Sequence, residues 1–184
     1  MKRAMVLVAG VAVIASGCGY NRIQSLDEQV NGYQSQIEVA LQRRADLIPN
    51  LVNTVKGFAG QELAIFEQIT DARARLSGAI QGKELSEMAA ANQSLNSALG
   101  RLLAIAEDNP EIRSNENFRM LQDQLEGTEN RISTARQDYN NAVREYNGYI
   151  RRFPQVLTAK SIGAGPREYF EADEGAREVP EVEF

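Results

Sequence analysis

The 184 residues carry 43% hydrophobic and 24% charged side chains, a formal net charge of −5, one cysteine, no tryptophan and no histidine. That is enough chain for one ordinary domain with a real core, in a globular rather than a disordered balance. The absent histidine removes the commonest general base, the commonest metal ligand and every His-based nucleophilic triad, while the acidic balance and the lack of a basic patch interleaved with aromatics exclude a general nucleic-acid binder. Catalysis would have to run on carboxylates, Tyr, Lys or Arg, and no spacing of these demands an enzyme, a cofactor or a metal.

At the N-terminus Lys2 and Arg3 precede a charge-free, largely apolar run over residues 4–17. Its 14 residues suit the core of an export signal and fall short of the ~20 that a membrane-spanning helix needs. The run closes on Ala15, Ser16, Gly17 and Cys18, which resembles the lipobox of bacterial lipoproteins. Residues 1–17 are therefore expected to be a lipoprotein-type signal peptide, with Cys18 as the lipidation site. As the single cysteine, Cys18 can form no disulfide within the chain. The alternative is an uncleaved membrane helix of marginal length ending in a free thiol. Cleavage would remove Lys2 and Arg3 and leave 18 basic against 25 acidic residues, a net charge of −7.

Ile23, Leu26, Val30, Tyr33, Ile37, Leu41, Ala45, Ile48, Val52, Val55 and Ala59 follow one another at steps of three or four, which predicts a first helix over about residues 22–59. Consecutive fours in its middle mark a slip in the heptad. Pro49 lacks an N–H and crowds the Ala45 carbonyl, so a kink is expected there, with Gly57 and Gly60 ending the element. Leu63, Phe66, Ile69, Arg73, Leu76 and Ile80 predict a second helix over about residues 62–80, closed by a turn at Gly82. Met88, Asn92, Leu95, Leu99, Leu102 and Ala106 predict a third over about residues 85–107, with Ser86 as its N-cap. A loop carrying Pro110 leads to the last helix, about residues 115–153, capped by Ser114 or Asn115. That helix holds the most regular pattern of the chain: Phe118, Leu121, Leu125, Thr128, Ile132, Ala135, Tyr139, Ala142, Tyr146, Tyr149 and Phe153 keep one stripe over five heptads.

Four helices joined by short turns run up and down, so the expected fold is all-α, an antiparallel four-helix bundle occupying residues 18–153. At the α-helical rise the first and last helices are each about 55 Å long, the second and third about 28 to 31 Å. The excess length is expected to extend residues 23–39 and 139–153 toward the membrane as a two-helix stalk, in which Tyr33, Tyr139, Tyr146 and Tyr149 bury their rings and keep their hydroxyls wet.

The stretch Leu41, Gln42, Arg43, Arg44, Ala45, Asp46, Leu47, Ile48, Pro49, Asn50, Leu51, Val52 closely resembles the signature of the LemA family of bacterial envelope proteins. So does Asn117, Phe118, with Leu121, Gln122 and the run from Leu125 through Glu126, Gly127, Thr128, Glu129, Asn130, Arg131 and Ile132. Arg136, Tyr139, Asn140, Val143, Tyr146, Asn147, the Phe153, Pro154 pair, and Tyr169, Phe170, Glu171, Ala172, Val179 and Pro180 continue the match, which covers nearly the whole mature chain. The resemblance implies a helical bundle outside the cytoplasm, tethered at its N-terminus, with no assigned catalytic activity. Family members often look like companions of membrane proteins with a TPM domain. Many use a membrane-spanning N-terminal helix, from which the lipobox of this chain departs.

The polar members of that signature are expected to face one another. Counted from the turn at Gly60, Arg44 lies level with the neighbourhood of Ile132, so Arg43, Arg44 and Asp46 should meet Glu126, Glu129, Arg131 and Arg136, with Asn50 and Asn130 completing hydrogen bonds. One reading is a salt-bridge layer that fixes helix order; polar groups in a bundle seam specify register even where they add little stability. The other is a small-ligand or ion site. Di-metal bundles take His from Glu-x-x-His pairs, and Glu126 and Glu129 have no such partner, which favours the layer.

After Phe153 and Pro154 the periodicity stops, and residues 154–184 read as an acidic, largely irregular tail with seven acids against two arginines over residues 167–184. It is either a solvated terminus kept off an anionic membrane by its charge or a partner-binding segment in which Tyr169, Phe170 and Phe184 make the contact. The leading functional expectation is a membrane-tethered, non-enzymatic envelope protein, a scaffold or interaction module for another membrane protein. The alternative is a small-ligand-binding or sensor bundle of the cell envelope. Gly19 after the cysteine resembles default sorting to an outer membrane where one exists; the sequence leaves inner and outer membrane open, and the oligomeric state with them.

Overall fold

The computed structural model describes the backbone of residues 2–57 and 63–170, and the side chains of residues 19–57 and 64–170. The described residues are all-helical, without a strand among them: α1 (Lys2–Lys56), α2 (Leu63–Gly82), α3 (Leu85–Asp108), α4 (Pro110–Ser114), α5 (Glu116–Ile150) and α6 (Gln155–Ser161). α1 runs unbroken from Lys2, so the apolar run of residues 4–17 and the first amphipathic seam are one helical element. It passes through Pro49 and ends at Lys56, whose ammonium sits 5.4 Å from the centre of the Phe66 ring of α2. A cation in the last helical turn also complements the helix dipole.

Two compact units make up the chain. One comprises Met1–Ser35 with Arg136–Tyr169, the other Gln36–Ala135 with Phe170–Phe184.

In the first unit Ile23, Leu26 and Val30 of α1 are buried, as are Tyr139, Ala142, Val143, Tyr146 and Ile150 of α5 and Ala159 of α6. These are the expected period-3.6 seams; fully burying an aliphatic side chain of this size stabilises by about 1.5 to 3 kcal/mol. The seam of α5 does not reach as far as its sequence pattern suggests. The helix ends at Ile150, Tyr149 is half-buried and Phe153 is 80% exposed in the turn beyond. α6, which no periodicity announces, follows that turn and lies against α1 at Gly19, where a Cβ would stand 3.6 Å from Thr158 Oγ1 and 3.9 Å from Gln155 Cγ.

In the second unit the buried stripe of α1 continues through Ile37, Leu41, Ala45, Ile48, Val52 and Val55, and that of α5 through Phe118, Leu121, Leu125, Ile132 and Ala135. α2 and α3 pack as a helical hairpin over Ile69, Leu76, Leu95 and Leu102, all buried. Its turn places Lys83 at φ +58°, the left-handed conformation that glycine adopts most cheaply. The cap of α3 is Glu84 without a side-chain bond, where Ser86 was expected. Asn115 does cap α5, its Oδ1 accepting from the Phe118 N–H at 3.1 Å. The loop before it contains α4, with Pro110 at its start and the Asn109 side chain accepting from the Glu111 N–H at 3.0 Å.

Candidate functional site

In the second unit, the helical period places Arg44 on the same face of α1 as Leu41 and Ile48, and the residue is buried to 6% exposure. Its Nη1 donates to Glu129 Oε2 of α5 and, at 3.5 Å, to Asn92 Oδ1 of α3. Its Nε is buried without a hydrogen-bond partner among the described residues, as is Oδ1 of Asn96, one turn along α3 from Asn92. Burial pushes the guanidinium down from its ordinary value to about 10, so it stays charged at neutral pH. The Glu129 side chain remains 42% exposed, and water therefore solvates the anion while the cation lies in the seam.

A second arginine completes this layer from the opposite direction. Pro49 has no N–H, so the Ala45 carbonyl four residues earlier loses the donor that an α-helix would supply. Arg73 of α2 reaches across and donates its Nε to that carbonyl at 2.8 Å. Thus α1, α2, α3 and α5 each place a polar group at one level of the second unit. The chemistry is that of charge-assisted hydrogen bonds holding helices in register.

Of the nine polar positions singled out by sequence, the structure brings Arg44 and Glu129 together. Arg43, Asp46, Asn50, Glu126, Asn130 and Arg131 are exposed, and Arg136 is half-buried. Asp46 accepts from Gln42 Nε2 of its own helix at 2.8 Å. The two partners that sequence reasoning missed, Arg73 and Asn92, had a signal: each interrupts an otherwise apolar seam at mid-helix.

The first unit holds a different arrangement. After α6 the chain returns as an extended strap, and Arg167 is gripped at three points. The Asn147 side-chain amide accepts from the Arg167 N–H and donates to the Arg167 carbonyl, both at 2.8 Å. The guanidinium forks onto Asp27, Nε to Oδ1 at 2.9 Å and Nη2 to Oδ2 at 3.0 Å, with Asn31 Oδ1 at 3.2 Å from Nη2. The Tyr139 hydroxyl, expected to face water, donates to the Glu168 carbonyl at 2.9 Å. Burial raises the phenols of Tyr139 and Tyr146 above their ordinary value; Glu168 adds to the first shift and Asp27 to the second, while Arg167 opposes both. Between strap and helices lies an open cleft of about 270 Å³ lined by Ile23, Gln24, Asp27, Tyr146, Gly163 and Arg167, among others. Of the tail aromatics, Tyr169 is 47% exposed and Phe170 is buried at 3%. Phe184 and the acidic residues from Glu171 onward lie outside the described residues, as does the Cys18 side chain.

Among the described residues no group of three or more His, Cys, Asp or Glu side chains is placed to hold a metal ion, and no helix is long and apolar enough to cross a membrane. Among the described residues, then, the protein is all-helical, with an arginine layer tying α1, α2, α3 and α5 and a strap fastened along α1 and α5. The LemA family profile matches residues 33–184, and the chain belongs to that family. It is similar to the magnetosome proteins MamQ 1 and MamQ 2 of Paramagnetospirillum magneticum, each 30% identical over 175 residues, and to the magnetosome protein MamQ of Magnetospirillum gryphiswaldense, 29% identical over 174 residues. These matches cover 82 to 83% of this chain, which spans about 64% of the length of those relatives.

Proposed function

We propose that this chain is a membrane-associated, non-enzymatic protein of the bacterial cell envelope that acts as a scaffold or interaction module for another membrane protein. One observation carries the reading: α1 is a single helix from Lys2 to Lys56, so the charge-free run of residues 4–17 is continuous with the helix that supplies the Arg44 layer. A chain built in this way holds its helical body at a bilayer, either by that run or by a lipid on Cys18 after cleavage. In the same reading α1, α2, α3 and α5 form an up-and-down four-helix bundle, and α1 and α5 extend from it as a two-helix stalk. The layer in which all four place a polar group supports the bundle, as do the short connections between successive helices. Membership of the LemA family and likeness to magnetosome proteins support a structural rather than a metabolic role. The partner class proposed is an envelope membrane protein, one with a TPM domain among the candidates.

In-cell crosslinking of the intact chain in its own membrane, followed by mass spectrometry, tests this. The expected result is a reproducible membrane-protein partner linked through the helical body or the residues beyond Phe170. Self-links alone, or none, would overturn the scaffold reading.

A further inference from the structure

The chain carries a net charge of −5, yet residues 146–167 hold Arg151, Arg152, Lys160 and Arg167 and no acid. Arg167 is consumed by Asp27; Arg151, Arg152 and Lys160 are exposed in the turn after α5 and on α6. Exposed apolar side chains stand among them: Phe153 at 80%, Leu157 at 60% and Ile162 at 38%. Of the acids nearby, Asp27 is paired with Arg167 and Glu145 with Arg22. Exposed apolar patches rimmed by polar residues mark sites of protein or membrane interaction.

What receives them is indicated by α1. α6 rests on Gly19, and the charge-free run of the same helix ends at Gly17, about 3 Å further along the axis. We infer that the turn after α5 and α6 form an interfacial foot, which seats Phe153 and Leu157 in the headgroup layer of an anionic membrane while Arg151, Arg152 and Lys160 bind its phosphates. Aromatic and aliphatic side chains at the acyl boundary, ringed by Lys and Arg, are the combination that holds a helix in the plane of a bilayer. The foot fixes the direction in which the tethered helices leave the membrane, which a lipid or a single apolar segment alone would leave free. This inference rests on the proposal that the N-terminal run is membrane-embedded.

The chain has no tryptophan, so one can be introduced as a reporter. The full chain is reconstituted in vesicles of phosphatidylcholine and phosphatidylglycerol whose acyl chains are brominated near the headgroup, and tryptophan quenching is read for the Phe153→Trp and Val8→Trp variants separately. Quenching of both is expected. Quenching of Val8→Trp without Phe153→Trp, and without a second reporter at Leu157→Trp, overturns the foot and leaves the tether standing. If neither reporter is quenched, the embedded N-terminal run has failed and the foot with it. Reversing the cations (Arg151→Glu, Arg152→Glu and Lys160→Glu together) should abolish quenching at Phe153→Trp and spare it at Val8→Trp. Unchanged quenching at Phe153→Trp would overturn phosphate binding by these residues.

Discussion

Arg73 stands in for the N–H that Pro49 lacks: its Nε donates at 2.8 Å to the Ala45 carbonyl, which has no donor four residues on in its own helix. The relationship makes two residues 24 positions apart energetically dependent on each other. Arg73→Ala strands a carbonyl in the seam and should destabilise by about 1 to 3 kcal/mol. In a Pro49→Ala background Ala45 regains an intrahelical bond, and the same substitution should cost less by about 1 kcal/mol or more. A double-mutant cycle in urea measures the difference; additive effects would show that the two residues do not share the carbonyl.

The ion pair between Arg44 and Glu129 should be asymmetric. Replacing the buried cation with an apolar side chain, as in Arg44→Met, removes a desolvated charge and is expected to change stability by less than about 1 kcal/mol, at the cost of a single well-defined helix register. Glu129→Leu leaves that cation buried and unpaired. Because water already reaches the Glu129 side chain, 42% exposed, the penalty should be about 1 to 3 kcal/mol, below the full cost of breaking a dry pair. Urea midpoints order the variants, and loss of amide dispersion in NMR spectra of Arg44→Met reports the lost register. An Arg44→Met protein that melts lower than Glu129→Leu would reverse the argument.

The strap should detach locally rather than unfold the chain. Asn147 satisfies both backbone groups of Arg167, and no apolar residue can imitate two opposed hydrogen bonds. Asn147→Leu and Asp27→Asn are each expected to raise hydrogen exchange at the Arg167 amide by about tenfold or more, corresponding to roughly 1.4 kcal/mol of local stability. Exchange in the α2 and α3 hairpin should stay as it is. Trypsin cleavage after Arg167 should rise in parallel.

These grips explain which parts of the molecule could be read in advance. The seams of α1 and α5 were legible because burial repeats every three or four residues; Ile23 to Val55 and Phe118 to Tyr146 follow the pattern with only Tyr33 half-buried. Counting from the turn at Gly60 put Arg44 near the level of Ile132, one turn from Glu129, to which its guanidinium donates. Arg73 was not, because its acceptor is a backbone carbonyl created by a proline on another helix. Arg167 was hidden for a related reason: it lies in extended chain with no period, and it pairs with Asp27 across 140 positions and with Asn147 across 20. The exposed Phe153 shows the opposite failure, a seam position stranded because the helix ends at Ile150.

The two buried tyrosines give the first unit a pH response with a definite sign. Burial raises the phenols of Tyr139 and Tyr146 in the folded chain, whereas in the unfolded chain they ionise near their ordinary value of about 10. A group whose native value is raised keeps its full stabilising contribution below the unfolded value and loses it as pH climbs through the native one, since the phenolate is poorly accommodated where it is buried. Tyr139 also donates its proton to the Glu168 carbonyl, a bond the phenolate cannot make. Stability should therefore fall as pH rises above about 10. Tyr139→Phe should lower stability near neutral pH by about 1 kcal/mol through the lost hydrogen bond, while flattening the alkaline decline. Tyr146→Phe should flatten it with less cost at neutral pH. Thermal melts of the wild type and both variants from neutral to alkaline pH check the slopes, and equal alkaline slopes in all three would show that neither phenol is responsible.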